Sequence, residues 1–494
     1  MRERIILSSI SDMTLPNAER VAFDQAAVEI SIEAARRIAA GRTRFDLFMK
    51  TKGVYVYGST TAPGARAKVV LSEEQSLSQG ETLRMFVPLQ AGVAGEMLPE
   101  RCVRLAVFAR LSNALSGSGK LRLSTAQAVA NLLDAAPSVP MQAVACSGEV
   151  MPLTWLVAPL ADLPLAIGEA MALINGSPFA TAMACDVALT TGRRLRLAEQ
   201  IFALSIEAAQ CPAAHFDRRL ADSWIDPYYK ESLNNLHELL ADSNRDQLAH
   251  QAPTSWRVIP NVLANALRAV AALSQSAEIG LQSLKDNPTF IQSPSCSDED
   301  VVLSSGGYHD HSAAKNIDAV SSALVDMCVL ASRQVSHLLD GGGLGLPPLL
   351  AGVGDGVGTE YLAWGMTEPL ATARRAAQAT TLDVGLQDPA GNQSDIPSLG
   401  FIAYGRHREV ARSFDVCFAS LAITATLALN FRSSAITAGR AKFGQHIHDI
   451  VHSAARAADV VGEPMRRAYE LIRIYADEIP TAQFAESLSK GAQG

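Results

Sequence analysis

The chain has 494 residues, 48% of them hydrophobic and 19% charged, which is ample apolar material for a large core. A formal net charge of −8 provides no basic excess to hold a phosphate backbone, so nucleic acid is not an expected partner. Arg, Asp or Gly interrupts every apolar run before the roughly 18 residues of a membrane span, and Met1-Arg2-Glu3-Arg4 lacks the apolar core of a secretory leader. The expected setting is therefore the cytoplasm, without a membrane partner.

Abundant alanine and leucine with only 6% aromatics favour helix over strand. In chain order, residues 54–57 (Val-Tyr-Val-Tyr) and 68–71 (Lys-Val-Val-Leu) read as short strands about a Ser/Thr/Pro/Gly turn. Glu100–Leu115 reads as a helix, with apolar positions recurring at three and four. After residue 200 the pattern becomes long Ala/Leu-rich helices, at 261–284, 313–339, 361–381, 406–430 and 446–477. Such stripes need a long bundle or neighbouring subunits to cover them. The expected fold is mainly α. Residues 1–200 form a mixed N-terminal region, and 201–494 form a long central helical bundle with C-terminal helices. Glycine-rich loops at 340–348 and 383–399 punctuate the bundle.

Several motifs fail on inspection. Ser116-Gly117-Ser118-Gly119-Lys120 resembles the end of a phosphate loop, but Ala114 stands at its first glycine and Leu121 where a magnesium-binding hydroxyl belongs. Gly352 to Gly358 lacks a third glycine in dinucleotide spacing and a strand–turn–helix setting. His448 and His452 share one helical face without the glutamate of a zinc protease, and Tyr308-His309-Asp310-His311 has no further ligand nearby. No metal is expected. Seven cysteines without a Cys-x-x-Cys pair support neither a disulfide framework nor structural zinc.

Six segments carry chemistry in one order. Tyr57-Gly58-Ser59-Thr60-Thr61 is followed by Cys146-Ser147-Gly148-Glu149-Val150-Met151-Pro152-Leu153, then by Leu173-Ile174-Asn175-Gly176-Ser177. Next come Gln251-Ala252-Pro253-Thr254-Ser255-Trp256-Arg257, and Asp286-Asn287-Pro288 with Leu303-Ser304-Ser305-Gly306-Gly307. The last is Asn392-Gln393-Ser394-Asp395. Singly, each has a plain reading: Asn175-Gly176 as a turn, Arg257 as a solvated cation, Tyr57 as a half-buried strand residue. Together they resemble the histidine and phenylalanine ammonia-lyases, whose corresponding loop reads Ala-Ser-Gly-Asp-Leu-Ala-Pro-Leu.

That resemblance implies an L-aspartase/fumarase-like helical bundle and a homotetramer whose active sites are shared between chains. It implies a built-in cofactor, 4-methylidene-imidazole-5-one (MIO), formed autocatalytically from Cys146-Ser147-Gly148. In that chemistry the Gly148 amide nitrogen attacks the Cys146 carbonyl, which needs an unhindered residue, and Ser147 loses its hydroxyl as water. Tyr57 would be the acid/base, Asn175 would support the prosthetic group, and Arg257 would clamp the substrate carboxylate. Leu89, Gln90, Thr254, Asn287, Tyr308, Gln393 and Ser394 would line the substrate.

The implied activity is loss of ammonia from an aromatic amino acid to give an arylacrylate, or the similar 2,3-aminomutase reaction. Four departures qualify it. Thr254 replaces a tyrosine, Ser394 replaces a glutamate, Leu89-Gln90 replaces the selectivity pair, and Pro63 stiffens the tyrosine loop. Two alternatives stay open. One is an MIO-less relative that eliminates trimethylamine from a betaine, as ergothionase-like enzymes do. The other is a catalytically silent paralogue.

Overall fold

The computed structural model describes residues 3–51, 53–78, 95–141, 148–241, 251–293, 299–352, 357–382, 395–432, 442–454 and 462–488. Among them helices dominate, and the strands form two small pairs. The chain divides into two compact units. The first comprises residues 1–188, 273–317 and 379–405; the second comprises 189–272, 318–378 and 406–494.

The first unit opens with a parallel pair, β1 (Arg4–Leu7) on β2 (Ala27–Ile30), joined across the Leu15–Phe23 helix. Ile5 and Leu7 alternate inward with the period of a half-buried strand. At the centre lies Glu100–Leu115, buried from Cys102 to Leu115 on every face. A helix enclosed on all sides must satisfy any charge it carries. Arg104 does so by donating to the carbonyls of Val21, Ala26 and Leu133; Arg110 donates from Nη1 to that of Asn175, while its Nε and Nη2 are buried with no acceptor among the described residues.

The second unit is a helical core. Phe414 stacks on Phe418 at 4.2 Å, and Phe202 meets Phe418 edge-on at 5.1 Å. Arg194 is buried in a two-pronged pair with Asp415, at 2.9 and 2.8 Å, and also reaches Asp477 at 2.8 Å. Two stretches, Glu169–Ala208 and Gly400–Leu429, have the length and apolarity of membrane spans, contrary to the expectation from unbroken runs. Their apolar windows are 89% and 83% buried by the chain itself, as core helices are.

Three local expectations are corrected. Residues 54–57 and 68–71 form no strands; only an isolated bridge joins Thr61 to Val70. The chain instead curls around Thr60, whose hydroxyl accepts from the Val56 amide (2.8 Å) and donates to the Val54 carbonyl (3.2 Å). The 361–381 stretch breaks into Tyr361–Trp364 and Thr367–Ala376. Pro369 explains the break: it has no N–H for a continuous helix, but is harmless in the first turn of a new one. The 446–477 stretch is two helices as described, Lys442–Ala454 and Glu463–Asp477, with residues 455–461 outside the described set.

Candidate active site

The Pro178–Ala208 helix begins directly after Asn175-Gly176-Ser177, and its first amides need acceptors. Glu149, 1% exposed, supplies them: its Oε2 accepts from Phe179 N and its Oε1 from Ala180 N, both at 2.7 Å. Burial pushes the Glu149 carboxyl up to about 8, against the pull of those two amides and of Lys285. Gly148 is thereby pinned beside the helix entry. A Cβ at position 148 would lie 3.2 Å from Cδ2 of Tyr308, so the tyrosine ring rests against the glycine. Cys146 and Ser147 lie outside the described residues.

Asn175 ends the Glu169–Ile174 helix and is 8% exposed. Its Nδ2 donates to the Asn287 carbonyl at 2.7 Å, and its own carbonyl accepts from Arg110 Nη1 at 2.7 Å. Gly176 has no room for a side chain, since a Cβ would sit 2.5 Å from that guanidinium. Asn287 in turn accepts at Oδ1 from Ser304 Oγ (3.0 Å) and Ser305 N (2.9 Å), in the segment that leads to Tyr308. Asp286, the residue before it, is a buried partner of Lys120 at 2.8 Å. Lys120 also donates to the Pro288 carbonyl at 2.7 Å.

Tyr57 is half-buried, and its hydroxyl accepts from the Gly64 amide at 2.8 Å. Gly58 has φ +66°, and a Cβ there would fall 2.2 Å from Cε of Met171. Met171 belongs to the Glu169–Ile174 helix, and its sulfur accepts from Asn175 Nδ2 at 3.5 Å. In the first unit Asn175 thus meets Asn287 and Tyr308 meets Gly148 directly, while the Tyr57 turn reaches Asn175 through Gly58 and Met171.

Thr254 and Arg257 belong to the second unit, on the short Thr254–Arg257 helix. Both are exposed, with Arg257 Nη2 donating to Thr254 Oγ1 at 3.4 Å. Between them Trp256 is fully buried and donates from Nε1 to Ser205 Oγ (2.9 Å), while the Ser255 carbonyl accepts from Gln334 (2.8 Å). A locked base thus presents an exposed cation. Leu89, Gln90, Gln393 and Ser394 lie outside the described residues.

The failed motifs have structural uses. In the 116–120 run, a Cβ on Gly119 would lie 2.4 Å from the Gly41 carbonyl, and Lys120 is the buried partner of Asp286. Asp310 caps the Ser312–Asp340 helix, accepting from the amides of Ser312 and Ala313, and pairs with Lys285 at 2.5 Å. His448 and His452 lie ring to ring at 4.1 Å, and among the described residues no group of three metal-ligating side chains occurs. Of the Gly352–Gly358 run, residues 353–356 lie outside the described set. The sequence reading missed Arg110 and the capping role of Glu149. Three arginines, Arg101, Arg104 and Arg110, within one helix were the available signal for Arg110. Glu149 had one too, as an acid just after Ser-Gly.

The sequence matches the family model described as aromatic amino acid lyase over residues 13–162 and 157–453. It is 24% identical over 455 residues to the histidine ammonia-lyase of Caldanaerobacter subterraneus subsp. tengcongensis, covering 85% of this chain and 87% of that one. Among solved structures it resembles ergothionase from Treponema denticola, with a TM-score of 0.84 at 18% identity, over 95% of this chain and 99% of that one. Tyrosine aminomutase from Streptomyces globisporus matches with a TM-score of 0.78 at 21% identity, over 97% and 98% of the two chains.

Proposed function

Since the chain belongs to the aromatic amino acid lyase family and is a carbon–nitrogen lyase, we propose that it eliminates ammonia from an aromatic L-amino acid, or performs the similar 2,3-amino shift. Its helical fold is the aspartase/fumarase-like one. The observation that supports the proposal is that Gly148, beside Tyr308, and Asn175 both lie next to the start of the Pro178–Ala208 helix, in the same compact unit as Tyr57.

The cofactor proposed is MIO, formed from Cys146-Ser147-Gly148, and the described residues fit it. Position 148 is buried, and a Cβ there would press on the Tyr308 ring at 3.2 Å, so glycine leaves an unhindered amide nitrogen of the kind that must attack a nearby carbonyl. Glu149 anchors the chain immediately after it. When present, that group supplies an electrophile that converts an amine into a leaving group.

The chain's own residues do the rest. Tyr57 takes the β-proton through its phenol oxygen, which the Gly64 amide orients. The C–N bond breaks as the Cα=Cβ bond forms, and nitrogen departs as ammonia. Arg257 holds the carboxylate in a two-pronged, charge-assisted contact, and its buried neighbour Trp256 keeps it in place. Asn175 and Tyr308 support the prosthetic loop, while Leu89, Gln90, Thr254, Asn287, Gln393 and Ser394 shape the substrate's surroundings. The proposed state is a cytoplasmic homotetramer with shared sites.

The test is the intact mass with a peptide map across residues 146–148. A deficit of two waters that disappears in Ser147→Ala, with acrylate formed from L-histidine, L-tyrosine or L-phenylalanine, is the expected result. An unmodified mass would overturn the ammonia-lyase reading. A second reading has its own observation: Thr254 leaves the Arg257 helix without the family's phenol. An MIO-less lyase would expel trimethylamine from a betaine with a pre-formed leaving group, still using Tyr57 and Arg257. Trimethylamine release from an unmodified chain would favour it.

A further inference from the structure

We propose that Asn287 is a positioning residue whose side chain sets the turn that places the Tyr308 ring against Gly148, while its main chain receives the Asn175 amide. Its main-chain carbonyl takes the Asn175 Nδ2 at 2.7 Å. Its side-chain oxygen takes two donors on a different segment, Ser304 Oγ at 3.0 Å and Ser305 N at 2.9 Å. Three residues beyond Ser305, the ring of Tyr308 lies where a Cβ on Gly148 would meet it at 3.2 Å. One residue therefore ties the helix end that carries Asn175 to the turn that carries Tyr308.

The clamp itself cannot drift. Asp286, immediately before, is held by Lys120 at 2.8 Å, with both side chains 2% exposed. The same ammonium donates to the carbonyl of Pro288, immediately after, at 2.7 Å. The Asn175 carbonyl is fixed separately by Arg110. Asn287 is itself 8% exposed, so water replaces its lost acceptor poorly. Removal of the side chain leaves Ser304 Oγ and Ser305 N without that partner and frees the approach to Tyr308. The Asn287 side chain thus acts through Tyr308. Its role in turnover rests on the lyase reading above.

The experiment compares wild type, Asn287→Ala and Asn287→Asp, all as the full chain. Hydrogen exchange of segments 171–177 and 301–308 is read first, because it needs no substrate. In Asn287→Ala the 301–308 segment loses protection while 171–177, held by the Asn287 main-chain carbonyl and by Arg110, keeps it, and Asn287→Asp, which keeps an acceptor oxygen, restores 301–308. Peptide mapping then gives the dehydrated fraction of residues 146–148, and kinetics use whichever of L-histidine, L-tyrosine and L-phenylalanine the wild type converts. Asn287→Ala is expected to lower kcat by about 100-fold with KM changed less than about threefold. Asn287→Asp should recover to within about tenfold of wild type.

Unchanged exchange at 301–308 for Asn287→Ala overturns the proposal, as does wild-type dehydration and kcat in that variant. If wild type is neither dehydrated nor active, the lyase reading fails by itself, and the exchange data still decide whether the Asn287 side chain holds the 301–308 segment. If Asn287→Ala fails to fold, Ser304→Ala, which removes one donor, takes its place. Lost protection at 301–308 in that variant supports the clamp, and unchanged protection overturns it.

Discussion

At Gly58 the absence of a side chain decides whether the Tyr57 turn can close onto Met171. An alanine there would combine a left-handed φ of +66° with a Cβ 2.2 Å from Met171 Cε. Gly58→Ala is expected to cost roughly 1–3 kcal/mol in stability and to lower kcat. Met171→Ala in the same chain relieves only the clash, so a double-mutant cycle should show positive coupling while the backbone strain persists. Arg257 poses a different question, of charge geometry. Arg257→Lys keeps the charge but loses the planar fork, and KM is expected to rise about 10- to 100-fold, read by steady-state kinetics. Both residues stood out in the sequence as members of ordered motifs. Arg257's support was not legible there, because Trp256, Ser205 and Gln334 are far apart in the chain and meet only when helices pack.

Among the elements, the Pro178–Ala208 helix shows how a distant residue can complete a local structure. Its opening amides are satisfied by Glu149, about 30 positions upstream. Glu149→Ala removes both acceptors and should destabilise the chain by about 1–2 kcal/mol, measured as a lowered denaturation midpoint. The same variant should leave a smaller dehydrated fraction at residues 146–148, because Gly148 loses its anchor. The long helix Ser312–Asp340 was readable from apolar spacing, since hydrophobic periodicity survives any arrangement of neighbours, whereas Glu100–Leu115 is buried on every face and has no such stripe. The 54–57 segment was not, because its Val and Tyr content suits a strand while the Thr60 hydroxyl offers the backbone a closer partner. At 361–381 Pro369 carried the information that a single helix could not persist.

For the whole molecule, acid stability turns on His407 in the second unit. It is 2% exposed, with Nδ1 at 3.0 Å from Ser321 Oγ and Nε2 at 3.5 Å from Thr191 Oγ1. Burial, aided by the Arg194 charge and opposed by Asp477, pushes its imidazole down to about 3 from an ordinary value of 6.5. As pH falls below 6.5 the unfolded chain gains a proton that the folded chain refuses. Stability from this group is therefore complete above 6.5 and declines down to about 3. Relative to His407→Gln, wild type should lose up to about 1.4 kcal/mol per pH unit in that window, followed by urea denaturation. A light-scattering mass of four chains is the expected outcome for the proposed tetramer, and a monomer with full activity would overturn the shared-site arrangement.

Read alone, the sequence determined the helical class, the family resemblance and the order of the chemical motifs. Those properties reside in composition, periodicity and local spacing, which do not depend on what packs against what. Tertiary structure alone decided that Gly148 meets Tyr308, that Asn175 meets Asn287, and that Lys120 neutralises Asp286 instead of holding a phosphate. It also decided which charges lie inside. Arg110 and Glu149 resemble surface residues in the sequence, and in the fold each is buried against partners far along the chain, the Asn175 carbonyl for Arg110 and the Phe179 and Ala180 amides for Glu149.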